Sequence, residues 1–239
     1  VLAAANITAA INIEGIAKDA NGAPTGELQE TAAKSLALDA IGLDYNTEAS
    51  EKLSLENFGR LACQTGVTTA TDLHNRLSDE FVQNLVTWTK NDEFRFRIAP
   101  AFAGISASPE QGVARMAELM KLNNDKLRFG MVKLMTDGSI QGMTGRMRWP
   151  GYYNGEPNGI WNTGPDQIYA MVQAYHNAGY QVHIHTNGDE ASEVTINAIE
   201  AALTKTPRRD HRHTLQHCQM ADESQFRRCL LYTSPSPRD

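Results

Sequence analysis

Two short segments that each contain a pair of histidines are the part of this sequence best suited to chemistry. They are 183–189 (HIHTNGD) and 213–217 (HTLQH), and together with His211 they hold five of the seven histidines of the chain. Each segment places a histidine at the end of a run typical of a β-strand. Neutral imidazoles delivered from neighbouring strand ends commonly bind a metal ion. The segments therefore predict part of a metal site, although two histidines alone do not specify one.

The two-residue period of a β-strand places His183 and His185 on one face of their strand, and His213 and His217 on one face of the next. If both faces point into a barrel, the second histidine of each pair lies at its top, so His185 and His217 are the ligand candidates. His183 and His213 then lie one layer below, where we expect interior histidines with satisfied hydrogen bonds. Asp189 is a candidate catalytic residue, but its position before a helix also predicts a capping role.

Lys133 is a third candidate, because it stands in the middle of the apolar run 131–135 (MVKLM). A buried ammonium group is costly, so such a lysine is usually neutral, ion-paired or chemically modified. A neutral amine can add carbon dioxide to form a carbamate, whose two oxygens can bridge two metal ions. The alternative is an edge lysine whose stem lies on apolar surface while its charge stays in water.

Apolar runs that predict strands alternate with amphipathic stretches that predict helices from about residue 54 onward. The predicted strands are 67–71, 94–99 (ended by Pro100), 129–135, 180–185 and 213–217. A strand–helix repeat of about 30 residues indicates a parallel α/β fold. Polar groups gathered at strand ends favour a TIM barrel over a doubly wound sheet. Since a complete barrel has eight strands, we expect a partial TIM (β/α)8 barrel that holds about strands 2–6.

The chain divides into three predicted regions. Residues 1–53 do not follow the repeat, and we interpret them as an insertion or the approach to the barrel, with a turn at 21–26 and a helix over 27–40. Residues 54–228 are the predicted partial barrel. Residues 229–239 (CLLYTSPSPRD) match the in-frame translation of a transposon-end adaptor used in short-read sequencing. We therefore expect a non-native tail there, with a natural Ser/Pro-rich tail as the alternative.

Composition excludes several classes of partner. The net charge is −6 and the sequence has no basic run, so we expect no nucleic acid partner. No apolar run approaches the ~20 residues of a membrane span, so we expect no membrane association. The three cysteines form no disulfide framework. The chain begins at Val1 without a signal peptide, and because the natural N-terminus is expected to be missing, the cytoplasm is only the default compartment. The sequence is compatible with a homo-oligomer.

Three consecutive motifs resemble those of the amidohydrolase superfamily: 132–139 (VKLMTDGS), 185–189 (HTNGD) and 212–217 (RHTLQH). The segment 19–30 (DANGAPTGELQE) also resembles the family 3 branch, which includes N-substituted formamide deformylases. The similarity covers nearly all of residues 12–228.

Two departures from the family pattern are Gln216, where Glu is common, and Thr186-Asn187, where Ala and an apolar residue are usual. They suggest a subgroup with its own substrate.

The resemblance implies a set of metal ligands. In the family, a lysine that is often carboxylated and histidines from the next two barrel strands bind one or two divalent ions. By resemblance, Lys133, His185 and His217 take these roles, and zinc is the first expectation. The family also uses a His-x-His pair from the first strand and a general-base Asp from the last strand. We expect that Asp beyond Arg228. We therefore expect a truncated chain, inactive by itself and prone to aggregate through open sheet edges.

The implied function is metal-dependent hydrolysis of a carbon–nitrogen bond in an amide-like, non-peptide small molecule. A deaminase, an ester hydrolase or a non-catalytic relic of the barrel is the alternative. The Gly-rich loop 138–161 is predicted at the same rim as the ligands. There Arg146 and Arg148 could bind a substrate carboxylate and Trp149 an apolar group. Packing of this loop on its own aromatic residues or on a neighbouring subunit is the alternative.

Overall fold

The computed structural model describes residues 2–41 and 48–232, and in these ranges it has seven strands. Two short strands near the N-terminus, β1 (Ile16–Lys18) and β2 (Pro24–Leu28), form an antiparallel hairpin. The other five form one parallel sheet: β3 (Thr69–Asn75), β4 (Arg97–Ala103), β5 (Met131–Met135), β6 (Gln181–Thr186) and β7 (Thr214–His217).

Seven helices accompany the strands in the described ranges. They are α1 (Glu30–Ile41), α2 (Glu48–Gln64), α3 (Asp79–Thr89), α4 (Pro109–Met120), α5 (Pro165–Asn177), α6 (Asp189–Lys205) and α7 (Glu223–Tyr232). Their starts follow from local chemistry. The Ser78 side chain accepts the Phe81 N–H at the start of α3, and Ser108 and Gln111 form a capping box at the start of α4. None of the described helices is long and apolar enough to cross a membrane.

The strand order β3-β4-β5-β6-β7 follows the sequence without a reversal. A doubly wound sheet reverses its strand order at the point where ligands bind, whereas a barrel continues in one direction. The five strands form a half-barrel, which confirms the predicted partial TIM barrel. The main apolar core lies between the sheet and α3–α6, where Leu134, Val182 and Ile184 are fully buried.

Three predicted elements are wrong in their bounds. The strand predicted over 67–71 begins at Thr69 and continues to Asn75. The strand predicted to end before Pro100 runs through it to Ala103, and its pairing with β5 begins only at Ala101, so the missing N–H of Pro100 breaks no regular bond there. The helix predicted over 27–40 begins at Glu30, because the residues before it form β2. Of the predicted adaptor-derived tail, residues 229–232 are in α7, and 233–239 lie outside the described residues.

Candidate active site

Pairing between strands identifies the side chains that line the concave face of the half-barrel, which we call the lumen. Lys133 on β5 pairs with Ala103 on β4 and with His183 on β6, and Met135 pairs with His185. Paired residues in neighbouring strands point to the same side of a sheet. The apolar residues that alternate with them belong to the core under the helices. Lys133, His183 and His185 therefore share the lumen face, as the two-residue period predicts for the two histidines.

Lys133 is buried in the middle strand of the five and only 5% exposed. Its Nζ donates a hydrogen bond to Oε1 of Gln216 on β7. Burial lowers the pKa of Lys133 to about 8, because the charged form loses its contact with water. This amine is therefore easier to deprotonate than an exposed lysine, and the alternative of an edge lysine with its charge in water is wrong for it.

His185 is held by a carbonyl group at the start of the Gly-rich loop. Its Nε2 lies 3.0 Å from the carbonyl oxygen of Gly138, which also accepts a 2.7 Å bond from the Asn187 side chain. A carbonyl oxygen only accepts, so Nε2 of His185 carries the proton and Nδ1 keeps its lone pair. A hydrogen bond of this kind, which fixes tautomer and ring orientation, is the usual companion of a metal-binding histidine.

Asp137 joins this corner of the site to the loop. Its carboxyl group is fully buried and accepts backbone N–H bonds from Arg146 (2.9 Å), Asn187 (3.0 Å) and Gly188 (2.8 Å). Burial raises the pKa of Asp137, whereas the three N–H donors and the nearby His185 act in the opposite direction. Gly188 is required by close approach, since a Cβ there would overlap the backbone of Arg146. Asp137 therefore fixes the loop against the end of β6.

His217 reaches the site through a turn and not through the strand period. Its register partner, Thr186, is fully buried on the helix side of the sheet. The backbone of His217 and Cys218 is left-handed, with φ of 74° and 49°. The centroid of the His217 ring lies 4.6 Å from that of His185. Burial lowers the pKa of His217, and the nearby His185 and Lys133 lower it further.

His213 contradicts the predicted position in the barrel interior. It lies before the first residue of β7, and its Nε2 is 2.8 Å from Nδ1 of His176 on α5. His213 is fully buried and its ring nitrogens are bonded, so only the expected satisfaction of its hydrogen bonds is confirmed. The lumen residues of β7 are instead Thr214, which pairs with His183, and Gln216, which pairs with His185.

His183 lies on the lumen face as predicted, but its hydrogen bonds are not all satisfied. Its Nδ1 lies 3.4 Å from Nε2 of Gln216, and its buried Nε2 has no hydrogen-bond partner among the described residues. Burial and the neighbouring Lys133 lower the pKa of His183, which favours the neutral imidazole.

The three residues predicted to bind substrate lie in the loop after β5, and two of them have partners within the chain. Arg146 pairs with Glu190 at 2.9 Å and lies over the ring of Trp161 at 5.0 Å. Arg148 bridges Glu193 and Asp222, both at 2.8 Å. These ion pairs favour a structural role for the two arginines, and their contact with substrate stays a prediction.

Trp149 differs from the two arginines because it is 94% exposed. Its predicted contact with substrate stays a prediction. Asp189 accepts the backbone N–H of Arg148 at 2.8 Å and that of Glu190 at 3.0 Å. Its carboxylate thus binds the loop to the start of α6 and is not free. The predicted capping role is wrong, because the N-cap of α6 is Gly188 and no side chain caps this helix.

One histidine of the lumen was missed by the sequence patterns. His74, on β3, is close enough to Lys133 and His185 for their charges to lower its pKa, after the larger effect of burial. The available signal was its position three residues after the predicted strand 67–71, since His185 and His217 are also found at the ends of predicted strands.

The sequence profile of the amidohydrolase family matches residues 1–230. The chain belongs to the amidohydrolase family. Two curated relatives are similar over shorter stretches. YtcJ of Bacillus subtilis, an amidohydrolase by its name, is 29% identical over 118 residues, which is 49% of this chain and 22% of YtcJ. The exoenzymes regulatory protein AepA of Pectobacterium carotovorum is 29% identical over 194 residues, which is 77% of this chain and 39% of AepA.

Two solved structures share the fold of this amidohydrolase. An uncharacterized metal-dependent hydrolase from Pyrococcus furiosus superposes with a TM-score of 0.65 at 18% identity, covering 97% of this chain and 45% of that one. A second, from Pyrococcus horikoshii, has a TM-score of 0.65 at 16% identity and covers 95% and 42%. This chain thus spans less than half the length of the relatives it matches.

The lumen donors of this amidohydrolase fit a divalent ion in their chemistry. His185 presents an Nδ1 lone pair, His217 lies beside it, and Lys133 has an amine whose pKa is lowered. Nitrogen donors of this kind suit zinc. Among the described residues, no three His, Cys, Asp or Glu side chains are close enough to hold one ion. The role of Lys133 as a third donor stays a prediction.

Proposed function

We propose that this chain supplies the central part of the metal site of a hydrolase that cleaves a carbon–nitrogen bond in an amide-like, non-peptide small molecule. Lys133, His185 and His217 are the proposed ligands. The observation that carries the proposal is the convergence of the His185 and His217 rings, 4.6 Å apart, on a lumen that also contains a buried lysine. The family membership of the chain supports the class of reaction.

Hydrogen bonds to neighbouring groups orient two of the proposed ligands. The carbonyl of Gly138 keeps the proton of His185 on Nε2 and so leaves Nδ1 for the ion. Gln216 accepts a hydrogen bond from Lys133 and so directs the amine into the lumen. A divalent ion held by these residues, for which zinc is our first expectation, would supply a water of lowered pKa and a Lewis acid for the carbonyl of the substrate.

Lys133 can also act as a ligand in a second chemical form, a carbamate. Its neutral amine can attack the carbon of carbon dioxide. One N–C bond forms, one C–O π bond breaks as its electron pair moves to oxygen, and the nitrogen releases one proton to solvent. The resulting carbamate offers two oxygens in place of one nitrogen, and it would allow two ions instead of one. Addition of ¹³C-labelled bicarbonate tests this form directly, because a carbamate carbon signal should appear in the wild type and be absent in Lys133→Met.

The general base is not among the residues assigned to the site. By resemblance it is an aspartate from a strand that follows Arg228 in the family. We therefore propose that the chain as it stands binds the ion but does not turn over substrate.

Zinc affinity tests the ligand set in this chain. Titration against a chromogenic chelator should show that His185→Ala, His217→Ala and Lys133→Met each weaken zinc binding by about tenfold or more. His74→Gln is the matched control, because it changes a lumen histidine that is not a proposed ligand. Equal affinity in the wild type and in a His185→Ala, His217→Ala double variant would refute the proposed site.

Substrate class is tested on a zinc-loaded protein of the relatives' length that contains this segment. N-formyl and N-acetyl amines, the corresponding esters and an exocyclic amine substrate form the panel. Preferential release of formate or acetate from the amides supports the proposal. Faster release of ammonia from the exocyclic amine would indicate a deaminase, and faster cleavage of the esters would indicate an ester hydrolase.

A further inference from the structure

A β-bulge in β3 turns His74 toward the lumen. Between the pairs Asp72–Pro100 and Asn75–Phe102, β3 advances three residues while β4 advances two. Without the extra residue, His74 would oppose Phe102, whose side chain is in the core under the helices. With it, His74 falls on the opposite, lumen side of the strand. Bulges often redirect a side chain beside an active site.

Hydrogen bonds on either side of the bulge hold it in place. The Asn75 side chain donates to Oδ2 of Asp72 at 2.8 Å and accepts the backbone N–H of Leu77, also at 2.8 Å. The backbone N–H of His74 points at Oδ1 of Asp72 at 3.4 Å. Since Asp72 and Asn75 share the helix side of the strand, their bond spans the extra residue. These bonds therefore fix the backbone that carries His74.

The space between His74 and the proposed ligands is lined by small side chains. On β4, between His74 and Lys133, the lumen residues are Ala101 and Ala103, both fully buried. Larger residues at these positions would fill the space between His74 on β3 and Lys133 on β5. Burial lowers the pKa of His74, and the charges of Lys133 and His185 lower it further.

The His74 ring is uncommitted. Neither of its nitrogens has a hydrogen-bond partner among the described residues, and the side chain, although partly buried, is accessible to solvent. A neutral imidazole has one donor and one acceptor, so it can bind either the N–H or the carbonyl oxygen of an amide.

We propose that His74 contacts the substrate in this lumen. From β3, it hydrogen-bonds an amide-like group of a substrate that is bound near His185 on β6, and so it helps to select the substrate. The inference rests on the proposed function. His74 has this role without being a ligand of the ion, so its replacement changes substrate binding and leaves zinc binding unchanged.

The test uses the zinc-loaded chain and acetohydroxamate, an amide-like molecule that binds zinc, as the probe. In His74→Phe the dissociation constant of the probe should rise about tenfold, because one hydrogen bond is lost. The conservative variant His74→Gln should stay within about threefold of the wild type, since its amide also donates and accepts. Zinc affinity should be equal in all three proteins. In ¹⁵N-histidine spectra, the probe should shift the His74 ring signals and leave those of His211 unchanged.

Two further outcomes separate this inference from the proposed function. If the wild type binds neither zinc nor probe, the proposed function fails and the inference fails with it. If the wild type binds both and His74→Phe binds the probe equally well, only the inference is refuted. A fall in zinc affinity in His74→Phe as large as in His217→Ala would make His74 a ligand instead. In the zinc-free chain, absence of nuclear Overhauser contacts between the His74 ring and the Ala101 methyl group would refute its placement.

Discussion

Nε2 of His213 lies 2.8 Å from Nδ1 of His176 on the helix side of the sheet. The backbone N–H of Val182 donates to Nδ1 of His213 at 3.1 Å, so the proton of His213 is on Nε2 and points at His176. Nε2 of His176 lies 2.7 Å from the carbonyl oxygen of Thr206 and must therefore carry a proton. Each ring donates once and accepts once. The arrangement joins α5, β6 and the segment before β7, and it requires both imidazoles to be neutral.

The first prediction concerns the stability of this pair at low pH. Burial lowers the pKa of His213 to about 2, and the nearby His211 and His176 add to the effect. In the unfolded chain the pKa is about 6.5, so the unfolded state takes up a proton first as the pH falls. The free energy of unfolding should therefore decrease below about pH 6.5, with up to about 1.4 kcal/mol per pH unit from His213. Urea unfolding at a series of pH values measures this slope.

The comparison variant for this prediction is His213→Gln, which cannot titrate in this range. Near neutral pH it should be less stable by about 2 kcal/mol, because buried groups of His176 and Val182 lose their partner. Below about pH 6.5 its stability should decrease less steeply than that of the wild type. Circular dichroism near neutral pH confirms that the variant is folded. The same slope in both proteins would show that His213 does not carry the acid sensitivity.

The two-residue strand period places lumen residues correctly only inside regular strands. It works for His183 and His185, which lie in the paired stretch of β6. It fails for His213, because β7 begins after it and Arg212 has a left-handed backbone, with φ of 53°. It also fails for His74, because a bulge depends on how two strands pair and cannot be read from the sequence of one strand. Sequence therefore predicts the half-barrel and the face of residues in its regular strands. The positions of His213 and His74 are set by irregular backbone and emerge only from the structure.

The second prediction concerns Asp137, which accepts three backbone N–H bonds without exposure to water. In Asp137→Asn, an NH2 group replaces one of the two accepting oxygens and faces an N–H donor. We expect the free energy of unfolding to decrease by about 2–3 kcal/mol. Hydrogen exchange in the loop 138–161 should accelerate, because that loop is attached through Arg146. The exposed Asp92→Asn is the matched control and should change stability by less than about 0.5 kcal/mol. Unchanged exchange in the loop would contradict the anchoring role.

The third prediction separates the two roles considered for Arg148. Its pairs with Glu193 and Asp222 are partly exposed, so Arg148→Gln should lower the free energy of unfolding by only about 1 kcal/mol. High salt should shrink this difference, because screening weakens the pairs in the wild type. Binding of N-formylglycine, a probe with a carboxylate, should be unchanged in the zinc-loaded chain. If the variant instead keeps its stability and loses affinity for this probe, Arg148 contacts the substrate carboxylate.

The fourth prediction concerns the close contact of α4 with α5. A Cβ at Gly112 would overlap the hydroxyl of Tyr175, a fully buried side chain whose oxygen lies 3.4 Å from the carbonyl oxygen of Gly104. Replacing Gly by Ala in an open helix stabilises it by about 1 kcal/mol, because the unfolded backbone loses freedom. Here the overlap reverses the sign, and Gly112→Ala should lower the free energy of unfolding by about 1–3 kcal/mol. Tyr175→Phe removes the overlapping oxygen, so the same substitution should cost less in that background, with a coupling of at least about 1 kcal/mol. Additive effects of the two substitutions in urea unfolding would mean that the helices move apart without using this contact.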